Sequence, residues 1–296
     1  DMYLICMKGY YNMDLTSPRT IRNIQEQFGF TFKKGLGQNF LTARNILEEI
    51  VDAAEIESGV IEVGPGFGVL TSELAQNSDK VVTIEIDERL IDVLDYTLAE
   101  YDNVKIINED ILKLDLKKVI DDEFKGEKVS IAANLPYYIT TPIITKLLEE
   151  KLPIKNIVVM VQKEVAERMS AKPSTKDYGA ITVLCQYYTE PSIVANVPAS
   201  LFVPPPKVDS AVLKLKVLDK PSVEVKDEGV FFRVVKAAFS QRRKTLLNCL
   251  SANFPIPKDE ISTLLESIGI APSRRGETLS LKEFANIADT LLQKIK

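Results

Sequence analysis

The apolar positions between residues 45 and 217 switch repeatedly between the period of a helix and that of a strand. NILEEIVDAAEI and ERLIDVLDYTLAEY have apolar residues every three or four positions and predict amphipathic helices. Four short apolar runs lie among these helices and predict buried strands: GVIEVGP, KVVTIEID, VKIINED and KVSIAAN. Because strands that alternate with helices form βαβ units, the pattern predicts an α/β fold with a mostly parallel sheet.

The pattern changes after LDKPS, residues 218–222. Before this point three strand-like runs favour an antiparallel hairpin at one edge of the sheet: NIVVMVQ, TVLCQYYTEPSIVANV and SAVLKLKVL. After it the periodicity is helical only, as in GVFFRVVKAAF. We therefore expect an N-terminal arm and a sheet domain over residues 13–220, followed by a small all-helical C-terminal domain over residues 223–296. The sequence starts without Met, and we expect residues 1–12 to be a non-native or upstream extension before Met13.

Histidine and cysteine usage excludes several classes of chemistry. The chain of 296 residues has no His, which removes His-based triads, His metal sites and imidazole acid–base catalysis from consideration. Its three Cys residues are far apart and lack CxxC spacing, so neither a disulfide framework nor a zinc site is expected. No apolar run approaches the roughly 18 residues of a membrane span. We expect a cytoplasmic protein, monomeric by default, with no metal and no membrane partner.

Charge is distributed unevenly along the chain. The whole sequence carries 37 Lys and Arg against 42 Asp and Glu, a net charge of −5. Residues 200–296 carry 16 Lys and Arg against 11 Asp and Glu. Such an asymmetry can mark a portion that faces nucleic acid, although a modest positive excess is more often a solvated surface.

A glycine-rich turn follows the first predicted strand, in EVGPGFGVLT. Gly64 and Gly66 let the backbone pass close to a ligand at the carboxyl edge of the sheet. The spacing G-x-G-x-G lacks the third glycine position of the dinucleotide fingerprint. Glu85 ends the next predicted strand, where a carboxylate can accept hydrogen bonds from both hydroxyls of a ribose. These features fit nicotinamide cofactors and S-adenosylmethionine alike, and a structural turn with an exposed Glu is the plainer alternative.

The third predicted strand favours S-adenosylmethionine. Asp110 follows this strand at the same edge, where its carboxylate can accept from an adenine amino group. Ile86 and Ile111 can then enclose the ring. Glu85 for a ribose and Asp110 for an adenine is the arrangement expected of a methyltransferase, although each carboxylate alone would more often be a helix cap or a surface residue.

NLPYYIT follows the fourth predicted strand, and its proline must end that strand because proline cannot donate to a sheet ladder. The side-chain oxygen of Asn134 and the carbonyl of Leu135 can both accept from the exocyclic amine of a flat base. Those bonds would draw the nitrogen towards a tetrahedral geometry and free its lone pair for a methyl group. Pro136 fixes the turn, Tyr137 can stack on the base, and Phe202 can supply the second face of the sandwich. The alternatives are an ordinary turn and a core phenylalanine.

Five segments together resemble the rRNA adenine N6-dimethyltransferase family, in particular its bacterial small-subunit branch: GQNFL, EVGPGFGVLT, NLPYYIT, LFVPPPKVDSAV and AAFSQRRKTLLNCL. The resemblance implies a Rossmann-like class I methyltransferase domain, dependent on S-adenosyl-L-methionine (SAM), with a small all-helical C-terminal domain. It implies dimethylation of the N6 amino groups of two adjacent adenines near the 3′ end of small-subunit (16S) rRNA. The implied partner is this rRNA within a pre-mature small ribosomal subunit.

The motifs and the resemblance together give the residues expected around the methyl donor: Gln38, Asn39, Leu41, Gly64, Gly66, Glu85, Ile86, Asp110, Ile111 and Asn134. Many relatives carry His where this chain has Asn39, which keeps only the polar character of that position. RNA contacts are expected from the basic residues nearest these motifs: Lys33, Lys34, Lys207, Arg242, Arg243 and Lys244. Further basic residues that could contact phosphate are Lys163, Arg168, Lys172, Lys176, Arg274 and Arg275.

Two other functions stay open at this point. One is a large-subunit rRNA methyltransferase of the macrolide-resistance type, built on the same scaffold. The other is a non-catalytic ribosome-assembly or transcription factor. The segments LFVPPPKVDSAV and RRGETLSLKEF favour the small-subunit enzyme over the large-subunit methyltransferase. A non-catalytic factor need not keep Asn134, Pro136 and Tyr137, and this chain has all three. A nicotinamide oxidoreductase is the weakest alternative, because the glycine spacing and a catalytic His are missing.

Overall fold

The computed structural model describes residues 13–30 and 39–295. The predicted extension of residues 1–12 lies outside the described residues. Two compact units are present, and the first comprises the described residues up to Ala166 together with Ser192–Val217. All nine described strands belong to this unit in whole or in large part: β1 (Phe40–Leu41), β2 (Val60–Val63), β3 (Val81–Glu85), β4 (Val104–Asn108), β5 (Val129–Asn134), β6 (Ile154–Gln162), β7 (Thr189–Val197), β8 (Phe202–Val203) and β9 (Ser210–Val217).

Seven of these strands form one sheet in the order β4-β3-β2-β5-β6-β9-β7. Strands β2 to β6 are parallel to one another, and β9 runs antiparallel to β6. The predicted α/β fold with a mostly parallel sheet is therefore confirmed. Strands β1 and β8 form a separate two-stranded antiparallel ladder in which Leu41 is opposite Phe202.

Six α-helices accompany the strands within the described residues of the first unit: α1 (Pro18–Phe28), α2 (Arg44–Ala54), α3 (Val69–Gln76), α4 (Ile91–Thr97), α5 (Leu116–Phe124) and α6 (Thr140–Glu149). Helices α3 to α6 each connect one parallel strand to the next. Their amphipathic pattern buries one face, as in α6, where Ile143, Ile144 and Leu147 are buried. The sheet thus has its apolar sides covered, as parallel sheets require.

The strand order reverses at β2, which has β3 on one side and β5 on the other. In open α/β sheets ligands bind outside the carboxyl ends of the strands at such a switch point. The segments that follow β2, β3, β4 and β5 all meet at this edge. The fold therefore positions a site there.

The second unit comprises Glu167–Pro191 and the described residues from Leu218 onward. Its helices are α8 (Ala180–Tyr188), α9 (Glu228–Ala238), α10 (Leu246–Ser251), α11 (Lys258–Ser267) and α12 (Leu281–Ile295), and α7 (Lys163–Met169) begins in the first unit and ends in this one. Within the described part of the chain after Val217, no strand is present. The domain boundary near residues 220–222 stays a prediction. The sequence analysis did not predict that Glu167–Pro191 would group with the C-terminal helices.

One predicted element is wrong. TVLCQYY was expected to be strand, but it lies in helix α8, and the strand β7 begins only at Thr189. The β-branched and aromatic residues of this run favour strand locally, but propensity is overridden when tertiary packing buries a helical face. Here Leu184 and Tyr187 are buried, and Tyr187 stacks on Phe231 of α9 with ring centroids 4.8 Å apart. Aromatic packing within the second unit thus selects the helix.

No helix in residues 13–30 or 39–295 combines the length and the apolar character needed to cross a bilayer.

Candidate active site

The glycine-rich turn after β2 has the left-handed backbone conformation that glycine adopts readily. Gly64 has φ +71° and Gly66 has φ +60°. A Cβ atom at Gly64 would meet no heavy atom within 4 Å, whereas a Cβ at Gly66 would lie 2.7 Å from Cε1 of Phe40. Gly64 therefore borders open space, and Gly66 allows Phe40 to pack closely against the turn.

Two acidic side chains lie at the same edge of the sheet. Glu85, the last residue of β3, is 5% exposed, and its Oε1 accepts a hydrogen bond from the backbone N–H of Asp87 at 2.8 Å. Asp110 follows β4, and its Oδ1 accepts from the backbone N–H of Leu112 at 3.0 Å. Burial, together with the nearby Asp87 carboxylate, raises the pKa of Glu85 to about 7. Both carboxylates keep capacity to accept hydrogen bonds from a ligand.

The turn after β5 orients Asn134. Its Nδ2 donates to the backbone carbonyl of Asn39 at 3.0 Å, so the side-chain oxygen remains as an acceptor. The carbonyl of Pro136 accepts from the backbone N–H of Ile139 at 3.1 Å and from the Thr140 hydroxyl at 3.2 Å. These bonds close the turn and begin helix α6, so the position of Asn134 is fixed from both sides.

The two predicted aromatic residues have different environments. Tyr137 is half-buried, and its hydroxyl forms a 2.8 Å hydrogen bond with the hydroxyl of Ser210. Burial raises the pKa of Tyr137, although the Ser210 hydrogen bond opposes this. Phe202 is 3% exposed and packs in the core of the first unit, opposite Leu41 in the β1–β8 ladder. Stacking of either ring on a base stays a prediction.

A cleft with an empty volume of about 1060 Å³, including the solvent at its mouth, opens at this edge of the sheet. Most of the residues expected around a methyl donor line it: Asn39, Leu41, Gly64, Gly66, Glu85, Ile86, Asp110, Ile111 and Asn134. Pro136 also lines it, whereas Leu135, Tyr137 and Phe202 are not among its lining residues. Gln38 lies outside the described residues. The roles of the lining residues stay predictions, although the fold brings these lining residues to one cleft.

Comparison with known proteins decides the family. A family model described as ribosomal RNA adenine dimethylase matches residues 29–293. The chain belongs to the ribosomal RNA adenine dimethylase family. The family predicted from the five sequence segments is therefore confirmed.

Relatives within this family match over nearly their whole length. Proteins named ribosomal RNA small subunit methyltransferase A, from Bacillus mycoides (strain KBAB4) and Bacillus cereus (strain B4264), are each 54% identical over 285 residues, or 94% of this chain and 98% of theirs. A solved dimethyladenosine transferase from Plasmodium falciparum has a TM-score of 0.70 at 30% identity, covering 84% of this chain and 95% of its own. The 23S rRNA methyltransferase ErmE has a TM-score of 0.65 at 27% identity, covering 86% and 100%. The predicted Rossmann-like methyltransferase fold is confirmed.

Sequence reasoning missed three polar residues that line the cleft: Glu62, Glu109 and Tyr138. Glu62 lines the cleft from within β2, and its only signal was a charge inside the apolar run GVIEVGP. Tyr138 lines the cleft and is 59% exposed, whereas the sequence-based choice was its neighbour Tyr137. Which of two adjacent tyrosines faces a site depends on the turn after the strand, and no periodicity reports this.

The basic residues expected to contact RNA are exposed wherever they are described. Lys207 lies in the first unit, between β8 and β9, and Arg242, Arg243 and Lys244 lie in the second, between α9 and α10. Lys33 and Lys34 lie outside the described residues. Arg242 donates from Nη2 to the backbone carbonyl of Lys176 at 2.8 Å. Two basic loops of the second unit are thereby held side by side.

Within the described ranges, no group of three or more His, Cys, Asp or Glu side chains is arranged to hold a metal ion.

Proposed function

We propose that this chain uses SAM to dimethylate the N6 amino groups of adenines in small-subunit rRNA. The observation that carries the proposal is the convergence of Gly64, Glu85 and Asn134 on one cleft, in a chain of the rRNA adenine dimethylase family. The 54% identity to proteins named small subunit methyltransferases favours the small subunit as the source of the substrate.

The cleft residues fit the methyl donor. The open space beside Gly64 admits a ligand against the backbone, since even a Cβ atom there would meet nothing within 4 Å. Glu85 can accept from ribose hydroxyls, Asp110 can accept from the adenine amino group, and Ile86, which is 57% exposed, offers an apolar surface to the ring. Asn39 and Leu41 line the cleft from the segment around β1. When bound, SAM supplies a methyl group on a positively charged sulfur.

Asn134 is the residue that activates the target amine. The lone pair of an adenine amino group is delocalised into the ring, which makes the nitrogen a poor nucleophile. The Asn134 side-chain oxygen can accept one N–H of this amine while the carbonyl of Leu135 accepts the other. Both acceptors draw the nitrogen out of the plane of the base, so its lone pair becomes available to the methyl carbon. The hydrogen bond from Asn134 to Asn39 orients the acceptor in advance.

The proton balance needs no catalytic base. A carbon–nitrogen bond forms as the carbon–sulfur bond breaks, and the sulfur keeps the electron pair. The nitrogen, positively charged after transfer, then loses its proton to water. The absence of His from the sequence is compatible with this chemistry.

The target within the rRNA is proposed from the family resemblance. It comprises two adjacent adenines near the 3′ end, each receiving two methyl groups, within a pre-mature small subunit in the cytoplasm, and the enzyme acts as a monomer. The structural likeness to ErmE supports a scaffold shared with large-subunit enzymes, so substrate choice must be tested directly.

Two basic loops of the second unit are the proposed RNA contacts there. The loop with Lys172 and Lys176 is attached to the loop with Arg242 through the Arg242–Lys176 hydrogen bond, and Ser174 donates from its backbone N–H to the carbonyl of Glu277 at 2.8 Å. Their exposed cations can neutralise phosphates, and binding through them should weaken as salt concentration rises.

The test is a radiolabelled methyl-transfer assay on small subunits from a strain that lacks this modification. Large subunits and naked rRNA are assayed in parallel, and the nucleosides are separated after digestion. We expect N6,N6-dimethyladenosine only with small subunits. Label in large-subunit RNA would replace the proposal by the resistance-type activity. Donor binding without any label would support a non-catalytic factor.

A further inference from the structure

Glu62 is a buried carboxyl group in the wall of the cleft, and the chemistry described above gives it no role. It is 1% exposed and lies in the middle of the apolar strand β2. The Thr71 hydroxyl donates to its Oε2 at 2.5 Å, and the Thr83 hydroxyl donates to the same atom at 3.4 Å. Two hydroxyl donors, one of them distant, compensate poorly for the hydration that a buried carboxylate loses.

The elements packed around Glu62 bring no positive charge to it. The neighbouring strands place Thr83 of β3 and Ala132 of β5 opposite it, and helix α3 contributes Thr71. The charged group that acts on it is another acid, Glu85. Among the ion pairs of the described residues, none includes Glu62. Burial, and to a lesser degree the Glu85 charge, raise the pKa of Glu62 to about 8, so the group holds a proton at neutral pH in the ligand-free protein.

The cleft as a whole is acidic. Four of its described lining residues carry a carboxyl group, and none carries a basic side chain: the four are Glu62, Glu85, Glu109 and Asp110. A concave surface of this kind concentrates the field of its charges and favours a positively charged ligand.

The methyl donor and its demethylated product, S-adenosylhomocysteine, differ in charge at one atom. The sulfur is a cation before transfer and a neutral thioether afterwards, while the adenine, ribose and amino-acid portions are the same. Groups that contact the shared portions, such as Glu85, act on both ligands equally. Discrimination between the ligands must therefore come from a group that responds to the charge itself.

We propose that Glu62 distinguishes the charged methyl donor from the uncharged product by losing its proton to solvent on donor binding and regaining one from solvent after methyl transfer. The inference rests on the proposed use of SAM. A nearby cation favours the ionised form of a carboxyl group, and loss of that cation removes the support. Donor affinity should consequently increase as the pH rises towards about 8, with no matching increase for the product from this group.

The test is isothermal titration calorimetry of the full chain at pH 7 in two buffers with different ionisation enthalpies, which counts the protons released on binding. We expect the wild type to release up to one more proton with SAM than with S-adenosylhomocysteine. In Glu62→Gln this difference should disappear, and the ratio of donor affinity to product affinity should fall roughly tenfold, as expected for a lost charge pair.

Two further variants separate this role from general effects. Glu109→Gln removes one exposed carboxylate from the same cleft and should leave the proton difference intact. Thr71→Val keeps Glu62 but removes its nearer donor, and it should weaken donor binding without changing product binding. Equal proton release for the two ligands in the wild type, or an unchanged affinity ratio in Glu62→Gln, would overturn the inference while leaving the proposed function intact. Failure of SAM to bind the wild type would instead overturn both.

Discussion

Replacing Asn134 by Ala tests the proposed activation of the target amine. The substitution removes the acceptor for one N–H of the amine and also the 3.0 Å hydrogen bond to the Asn39 carbonyl. Loss of one preorganised group of this kind typically lowers kcat by about 10²–10³-fold, or roughly 2.7–4 kcal/mol. Loss of one ordinary hydrogen bond lowers the free energy of unfolding by only about 0.5–1.5 kcal/mol. The catalytic effect should therefore greatly exceed the effect on stability.

The assay is single-turnover methyl transfer to small subunits at saturating SAM, with donor affinity measured separately by calorimetry. We expect kcat to fall at least a hundredfold while the Kd for the donor changes by less than about fivefold, because Asn134 is one of several residues that line the cleft. The matched control is Asn108→Ala. The Asn108 side chain also donates from Nδ2 to a backbone carbonyl, that of Glu85 at 2.7 Å, but Asn108 does not line the cleft. If Asn134→Ala retained turnover within tenfold of wild type, or if Asn108→Ala lost as much, the activation mechanism would be wrong.

Three further predictions follow from burial and backbone geometry. Phe202→Ala should lower the free energy of unfolding by about 3–5 kcal/mol. Phe202→Leu keeps most of the packing, and it should lower kcat/KM for RNA at least fivefold if the ring also stacks on the base, because such a contact contributes about 1–3 kcal/mol. Unchanged kinetics in Phe202→Leu would assign the ring to the core alone. Gly64→Ala and Gly66→Ala both place a Cβ on left-handed backbone and should both lower the melting temperature, Gly66→Ala by more because its Cβ would also lie 2.7 Å from Phe40. Only Gly64→Ala should strongly weaken donor binding, because its Cβ would point into open space. A larger fall in melting temperature for Gly64→Ala, or unchanged donor affinity in that variant, would contradict this. Glu62 should make the free energy of unfolding fall between pH 5 and 7 by up to about 1.4 kcal/mol per pH unit. Its pKa in the folded protein, about 8, lies above the ordinary value of 4.5. The contribution of Glu62 to stability is therefore complete below pH 4.5 and is lost as the pH rises through 8. Urea denaturation of the ligand-free protein at several pH values gives the free energy of unfolding as a function of pH. This free energy should fall less steeply with pH in Glu62→Gln than in the wild type, and an equal dependence on pH would refute the assignment.

The positions that follow strands could be predicted from the sequence because parallel strands impose a simple geometry. Once the βαβ pattern was recognised, Glu85, Asp110 and Asn134 had to lie at the same edge of the sheet. The structure places all three on one cleft. No knowledge of side-chain orientation was needed, since the carboxyl ends of the strands alone bring these residues together.

The environment of side chains that pack against distant parts of the chain could not be predicted from the sequence. Phe202 reads as an aromatic residue in a proline-rich loop, yet the β1–β8 ladder buries it opposite Leu41. The ladder joins residues 159 or more positions apart, as in the hydrogen bond from the Thr42 hydroxyl to the Leu201 carbonyl, and no local pattern reports such a pairing. The prediction of a strand where helix α8 lies was wrong for the same reason, because the aromatic partners of Tyr187 lie on a helix some forty residues later.

The distribution of charge explains how one acidic chain can suit both a cationic donor and a polyanionic RNA. Glu85 is buried, so its influence is strong at short range inside the cleft and is limited outside it. Arg242, Arg243 and Lys244 are exposed, so they can meet phosphates directly within a Debye length of about 8 Å at physiological salt. The net charge of −5 adds these groups together although they act in different environments. RNA binding therefore depends on which charges are exposed, and the net charge alone gives no reason to expect it to fail.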